Sequence, residues 1–216
     1  MDGNGIALKT LLQSNALEVL FFQRPYVWEE EHFEALIDSL EDSPDGEMPF
    51  FGSVILKEFG KVDSGQYLII DGQQRCTTFS VLIRAILDVC EGKGYLSSNQ
   101  IARLQDCIYI ITENDDGDEV YKAKLLPSNP DKPAFDKVMA MGEDISRPIC
   151  IADDTNESIE KAYKYFYNYF VLNSSKIKSF FKRITSENKS LIRITLSSAD
   201  DEQKIFDSVN SMGKSL

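Results

Sequence analysis

Six consecutive residues, Ile70-Asp71-Gly72-Gln73-Gln74-Arg75, bring together an acid, a glycine, two amides and an arginine. An apolar strand pattern ends at Ile70, and a helix pattern begins a few residues later, with Thr77 and Thr78 in its early turns. Gly72 permits a tight turn and a close approach to the backbone. The first amides of a helix have no partner inside it and carry the positive end of its dipole. Such an end is a ready anion site. Arg75 adds a fork of donors matched to phosphate oxygens. Gln73 and Gln74 both donate and accept, so either can orient a phosphate, a ribose or a water. Asp71 is suited to a magnesium ion beside bound phosphates. On chemistry alone the same residues also fit a plain turn with a capped helix, and both readings stay open.

A second group precedes this one: Gln23-Arg24-Pro25-Tyr26-Val27-Trp28. Arginine beside a rigid proline, close to the chain's only tryptophan, can grip a phosphate and stack a base. The competing reading puts the aromatics in the core and pairs Arg24 with an acid. A third group is Asn210 with Gly213, which by itself is a helix end.

The elements that must position these groups follow from periodicity. Residues 17–22 read as a strand. Residues 29–40 carry Phe33, Leu36, Ile37 and Leu40 at helical spacing behind an acidic first turn. Residues 50–59 and 67–70 read as paired strands, and 77–90 as a strongly apolar helix closed by Gly92 and Gly94. Residues 106–113 and 119–126 flank an Asp- and Gly-rich turn and read as a hairpin. A short helix is expected near 134–141, an exposed loop over 142–155, helices over 157–172 and 175–185, a strand over 191–196 and a last helix over 200–209. The fold expected is α+β: a compact part at residues 1–126, and a mostly helical region at 127–216 packed on it.

Composition narrows the function classes. The net charge of −12 opposes a phosphate backbone over most of the surface. Residues 29–47 hold nine acids and no lysine or arginine, whereas 174–193 hold Lys176, Lys178, Lys182, Arg183, Lys189 and Arg193 against Glu187 alone. That basic run is the one stretch expected to meet a nucleic acid or an acidic partner. One histidine and four cysteines without close pairing leave no zinc cluster and no histidine-based hydrolytic site. Any cutting of nucleic acid is therefore expected from another domain. No apolar run approaches membrane length and no secretory pattern opens the chain, so a cytoplasmic protein is expected.

Taken together, "FQRPYVW", "FFGSVIL", "IIDGQQRCTTFSVLIRAI" and "IFDSVNSMGKSL" resemble the N-terminal domain of GmrSD-type restriction endonucleases. The resemblance runs from Leu8 to Leu216 and is densest over 21–87 and 206–216. It implies a ParB/sulfiredoxin-like fold, a small mixed sheet with added helices, in which Gly72 and Arg75 fill a phosphate-binding turn. It implies binding and hydrolysis of a nucleoside triphosphate with Mg2+ or a similar ion, coupled to cleavage of modified or foreign phage DNA. The resemblance carries Asp71, Gly72, Gln73, Gln74 and Arg75 over as the nucleotide site, with Gln23 and Arg24 facing it and Asn210 in a terminal N-x-x-G pattern. Met212 stands where an arginine is usual. The nuclease is expected on a C-terminal or separate domain beyond Leu216, with DNA met through the full-length protein. The leading expectation is thus an NTP-hydrolysing domain of a DNA restriction system. The alternative is a module that senses nucleotide or DNA phosphate without catalysis.

Overall fold

A computed structural model describes residues 2–14, 16–21, 23–60, 64–114, 116–141, 145, 148–197 and 200–213, with the side chains of all these except 2 and 209–213. In chain order the strands are β1 (Asp2–Ile6), β2 (Ala16–Val19), β3 (Ser53–Glu58), β4 (Gln66–Asp71), β5 (Tyr109–Glu113), β6 (Glu119–Ala123), β7 (Leu125–Leu126) and β8 (Leu191–Leu196). The helices are α1 (Leu8–Leu12), α2 (Glu30–Asp42), α3 (Gln73–Cys90), α4 (Ser98–Ile108), α5 (Lys132–Val138), α6 (Ser158–Leu172), α7 (Ile177–Ile184) and α8 (Glu202–Gly213).

The architecture is α+β. Six strands form one mixed sheet in the order β1-β8-β3-β4-β2-β7, and β5 with β6 forms a separate hairpin. β3 and β4 pair antiparallel as expected, while β8 runs parallel to β3 and antiparallel to β1. β8 comes from the later of the two expected parts, so one sheet joins them.

Three local readings change. The hairpin turn is in place, with the Asn114 side chain accepting from the amides of Asp116 and Asp118. Residues 106–108, however, finish α4, and Leu125–Leu126 leave the hairpin to pair with β2. α4 starts at a capping box in which Ser97 and Gln100 bond reciprocally. β1 is an edge strand that sequence patterning does not reveal.

The alternation along the strands sorts side chains to two faces. Val54, Leu56 and Ile69 face the main core with Phe33, Phe79, Leu82 and Phe166. Ile55, Ile70 and Leu196 face the other side, under Ile205 and Phe206 of α8. Helix α3 is apolar nearly all round, which suits a helix surrounded by protein. Every residue of α3 except Arg75 is buried. It packs chiefly on α6, and a buried polar network ties the two together. Arg84 pairs with Asp88 at 2.9 Å one turn on, and the Tyr163 hydroxyl donates to Asp88 at 2.6 Å.

The two charge runs meet each other. Lys176 pairs with Glu41 and Lys182 with Asp45. Arg183 donates to the carbonyls of Leu40 and Ser43, each at 2.6 Å, at the C-terminal end of α2 where free carbonyls and the negative dipole end lie. Half of the basic run is therefore engaged within the fold.

Candidate functional site

β4 ends at Asp71 and α3 starts at Gln73, directly rather than four residues later. Gly72 makes this abrupt change possible, with φ +103° and ψ 6°. A Cβ at Gly72 would lie 2.7 Å from Val54 Cγ1, so the position excludes a side chain on steric grounds as well. Among the described residues no side chain caps α3, and the residues of its first turn, Gln73, Gln74 and Arg75, line a cleft of about 180 Å³. Gln23, Arg24, Trp28, Asp71, Gly72, Gln73, Gln74 and Arg75 all line this cleft, together with Phe206 of α8.

The structure brings the two early constellations into contact through the glutamines. Gln73 Nε2 donates to the Arg24 carbonyl at 2.9 Å. Gln74 Nε2 donates to the Pro25 carbonyl at 3.1 Å, and its Oε1 accepts from the Val27 amide at 2.9 Å. The Tyr26 amide donates to the Asp131 carboxylate at 3.0 Å. Thr78 Oγ1 gives its proton to the Gln74 carbonyl at 2.8 Å, so the Tyr26 phenol donates to Thr78 at 2.7 Å. Residues 24–27 are thus pinned on α3 at successive positions. Two adjacent glutamines serve this because a loop with a proline offers carbonyls and few amides.

Arg75 is also engaged. Its guanidinium donates to the carbonyls of Phe51 and Ser53, and to Asp71 Oδ2 at 3.3 Å. It passes so close over Gly52, at φ +85°, that a Cβ there would lie 2.8 Å from Nη1. Arg75 therefore locks the entry of β3 to the start of α3. Arg24 differs: its side chain is exposed, and among the described residues its guanidinium has no hydrogen-bond or ion-pair partner.

Thr77 and Thr78 are buried in α3 and do not line the cleft. Asn210 lies in α8, and its side chain is outside the described residues. Cys76, next to Arg75, is no nucleophile, because burial pushes its thiol up to about 12. Asp131 and Phe206 escape sequence reasoning. Asp131 lies far along the chain from the loop it holds, and Phe206 has the pattern of an ordinary apolar helix position.

Among the described residues no group of three or more His, Cys, Asp or Glu side chains could hold a metal ion. Asp71 is the one carboxylate among the described residues on the cleft. A single carboxylate fits Mg2+, which keeps most of its waters and takes substrate phosphate oxygens. A larger groove of about 840 Å³ runs between α2 and α6. Glu29, Glu30, Glu31 and Asp153 line it against Lys161 and Lys164, and that net negative wall disfavours a polyphosphate. We therefore place the site at the smaller cleft.

A family model described as the GmrSD restriction endonuclease N-terminal domain matches residues 8–216. No curated protein matches the chain.

Proposed function

The chain belongs to the family of GmrSD restriction endonuclease N-terminal domains, and from that premise we propose that it binds a nucleoside triphosphate at the start of α3 and hydrolyses it. The observation that carries this reading is that an uncapped helix N-terminus and Arg24, whose guanidinium has no partner among the described residues, line one cleft. The helix amides and Arg24 supply the donors a polyphosphate needs. Asp71 would hold Mg2+, which neutralises charge on the phosphates when bound. Trp28 offers a ring at the cleft edge for a base.

Roles within the motif divide by what each side chain already touches. Gln73 and Gln74 act through the loop that carries Arg24 and Trp28. Arg75 holds the turn rigid and adds positive charge from behind it. The family is one of restriction endonucleases, so the domain's work is tied to DNA and to a nuclease domain. We assign phosphate hydrolysis to this domain as the step that controls the nuclease. Binding of DNA by the basic run is not favoured, because Lys176, Lys182 and Arg183 are spent on α2.

The test is titration of the purified protein with a nucleoside triphosphate and Mg2+, followed by phosphate release. Arg24→Ala should weaken binding roughly 10-fold or more, the worth of one charge-assisted contact. Equal affinity in wild type and variant removes Arg24 from the site. Absence of binding by the wild type rejects the whole reading, and binding without phosphate release selects the sensing module.

A further inference from the structure

We propose that the groove between α2 and α6 is a docking surface for a basic amphipathic helix of a partner protein. The groove holds about 840 Å³. Along α6 it is lined by Ser158, Lys161, Tyr165, Asn168 and Leu172, at alternating intervals of three and four residues. That spacing is one stripe of a helix, and it is the seam along which a second helix can lie. The opposite stripe of α6, with Ala162, Phe166 and Phe170, is buried in the core. Phe33 is buried at the groove, with the Tyr165 ring against it at 5.6 Å. Leu172, also on the groove, is 83% exposed, a large apolar side chain with little cover.

The wall on the α2 side is acidic. Glu30, Glu34 and Asp38 stand at intervals of four residues, all exposed, and among the described residues their carboxylates have no hydrogen-bond or ion-pair partner. Like charges at that spacing repel and work against the helix. Burial, and then the charges of Glu34, Glu30, Asp38 and Glu41, raise the Tyr165 phenol above its ordinary range, so the stripe lies within reach of a ring that lines the groove. Of the two lysines on the groove, Lys164 is paired with Asp153 at 2.8 Å, which leaves Lys161 to oppose the acids.

α2 itself shows how such a face is used. At its C-terminal end Glu41 pairs with Lys176, and Asp45 just beyond pairs with Lys182 of α7. Tyr169, which lines the groove, donates to Glu41. One end of the acidic face thus seats a basic helix of this chain, and the stretch from Glu30 to Asp38 has no such cover among the described residues. The chemistry that completes it is a helix with lysines or arginines one turn apart towards α2 and apolar side chains towards Tyr165 and Leu172, the helix-in-groove mode of recognition. A phosphate backbone is repelled by the same stripe. A small polyvalent cation satisfies the acids and leaves Leu172 bare.

The experiment titrates a labelled helix of leucine and lysine, roughly 18 residues long so that it is helical alone, into the purified protein and reads fluorescence anisotropy. Wild type should bind it, and more weakly as salt is raised. Glu30→Gln, Glu34→Gln and Asp38→Asn together should weaken binding roughly 10-fold, the sum of three exposed ion pairs. Leu172→Ser should also weaken it roughly 10-fold, through lost apolar burial. Glu113→Gln, Asp116→Asn and Asp118→Asn remove the same charge from the hairpin turn, which lines no part of the groove, and should leave affinity within about threefold because distant charges are screened. An equal loss in that control overturns the proposal, since net charge and not the groove would then attract the peptide. A weakened triple variant with Leu172→Ser unchanged also overturns it and gives the stripe to a small cation. Absence of binding by wild type overturns it outright. Every substituted side chain is exposed, and thermal unfolding checks each variant. If the triple variant does not fold, unchanged affinity in Leu172→Ser alone overturns the proposal.

Discussion

Replacing Gln74 with methionine tests whether the paired glutamines act on a ligand or on the loop. The change keeps length and volume and removes both hydrogen bonds, to the Pro25 carbonyl at 3.1 Å and from the Val27 amide at 2.9 Å. Each bond contributes about 1 kcal/mol net, and a half-buried amide left without a partner adds about 1–3 kcal/mol. The expected loss is therefore about 3–5 kcal/mol of unfolding free energy, read from the midpoint of a urea titration at constant slope. Gln73→Met removes one bond, to the Arg24 carbonyl at 2.9 Å, and should cost about 1 kcal/mol. Both glutamines hold the same loop, so the double variant should lose less than the sum. A coupling of about 0.5–3 kcal/mol is expected for groups sharing one support. Emission from Trp28 gives a second reading, because the ring stands next to Val27 and stacks on His32 at 5.5 Å. Gln74→Met should shift it in the folded protein. Stability within about 0.5 kcal/mol of wild type, in the range of surface changes, with unshifted emission and abolished turnover, would refute this reasoning and put the glutamines on the ligand.

Further outcomes follow from the same geometry. Gly72→Ala demands a residue at φ +103° with its Cβ 2.7 Å from Val54 Cγ1, so it should cost about 2–4 kcal/mol from backbone strain and overpacking together, measured by urea unfolding. Asp88→Asn strips the counter-charge from Arg84, both being buried, and should cost about 3–5 kcal/mol, visible as a fall in thermal midpoint. Hydrogen bonds from Lys182 and Ser179 hold the Asp45 carboxyl below its ordinary 3.8. A lowered folded value stabilises above the unfolded one and is lost as pH falls through the folded one. Melting of Asp45→Asn should accordingly change less than wild type when the pH is taken from about 6 to about 3.

The sequence by itself determined the elements whose patterning is local and strong. The stripe Phe33, Leu36, Ile37, Leu40 gives α2, and the apolar run from Phe79 to Leu87 gives most of α3. The β3–β4 pairing and the Gly72 break are equally local, since alternation and a residue without Cβ are written in the chain itself. The motif strings also carry the family, which the family model matches over residues 8–216.

Other features were decided only by contacts between distant segments. Asp2–Ile6 holds two glycines and has little strand propensity, and it becomes β1 because β8 supplies its partners. The basic run has the composition of a nucleic-acid surface until α7 is seen to cap α2. Charges that balance across more than 130 residues cannot be read from either run alone. The stretch 70–75 is legible as a turn with phosphate chemistry, but a sequence names side chains and not their free atoms. Gln74 is spent at both ends, Arg75 on two carbonyls and Asp71, and Gln73 on Arg24. Which polar groups stay without a partner among the described residues, the Arg24 guanidinium and the Gln23 oxygen among them, follows from which hydrogen bonds the fold satisfies first.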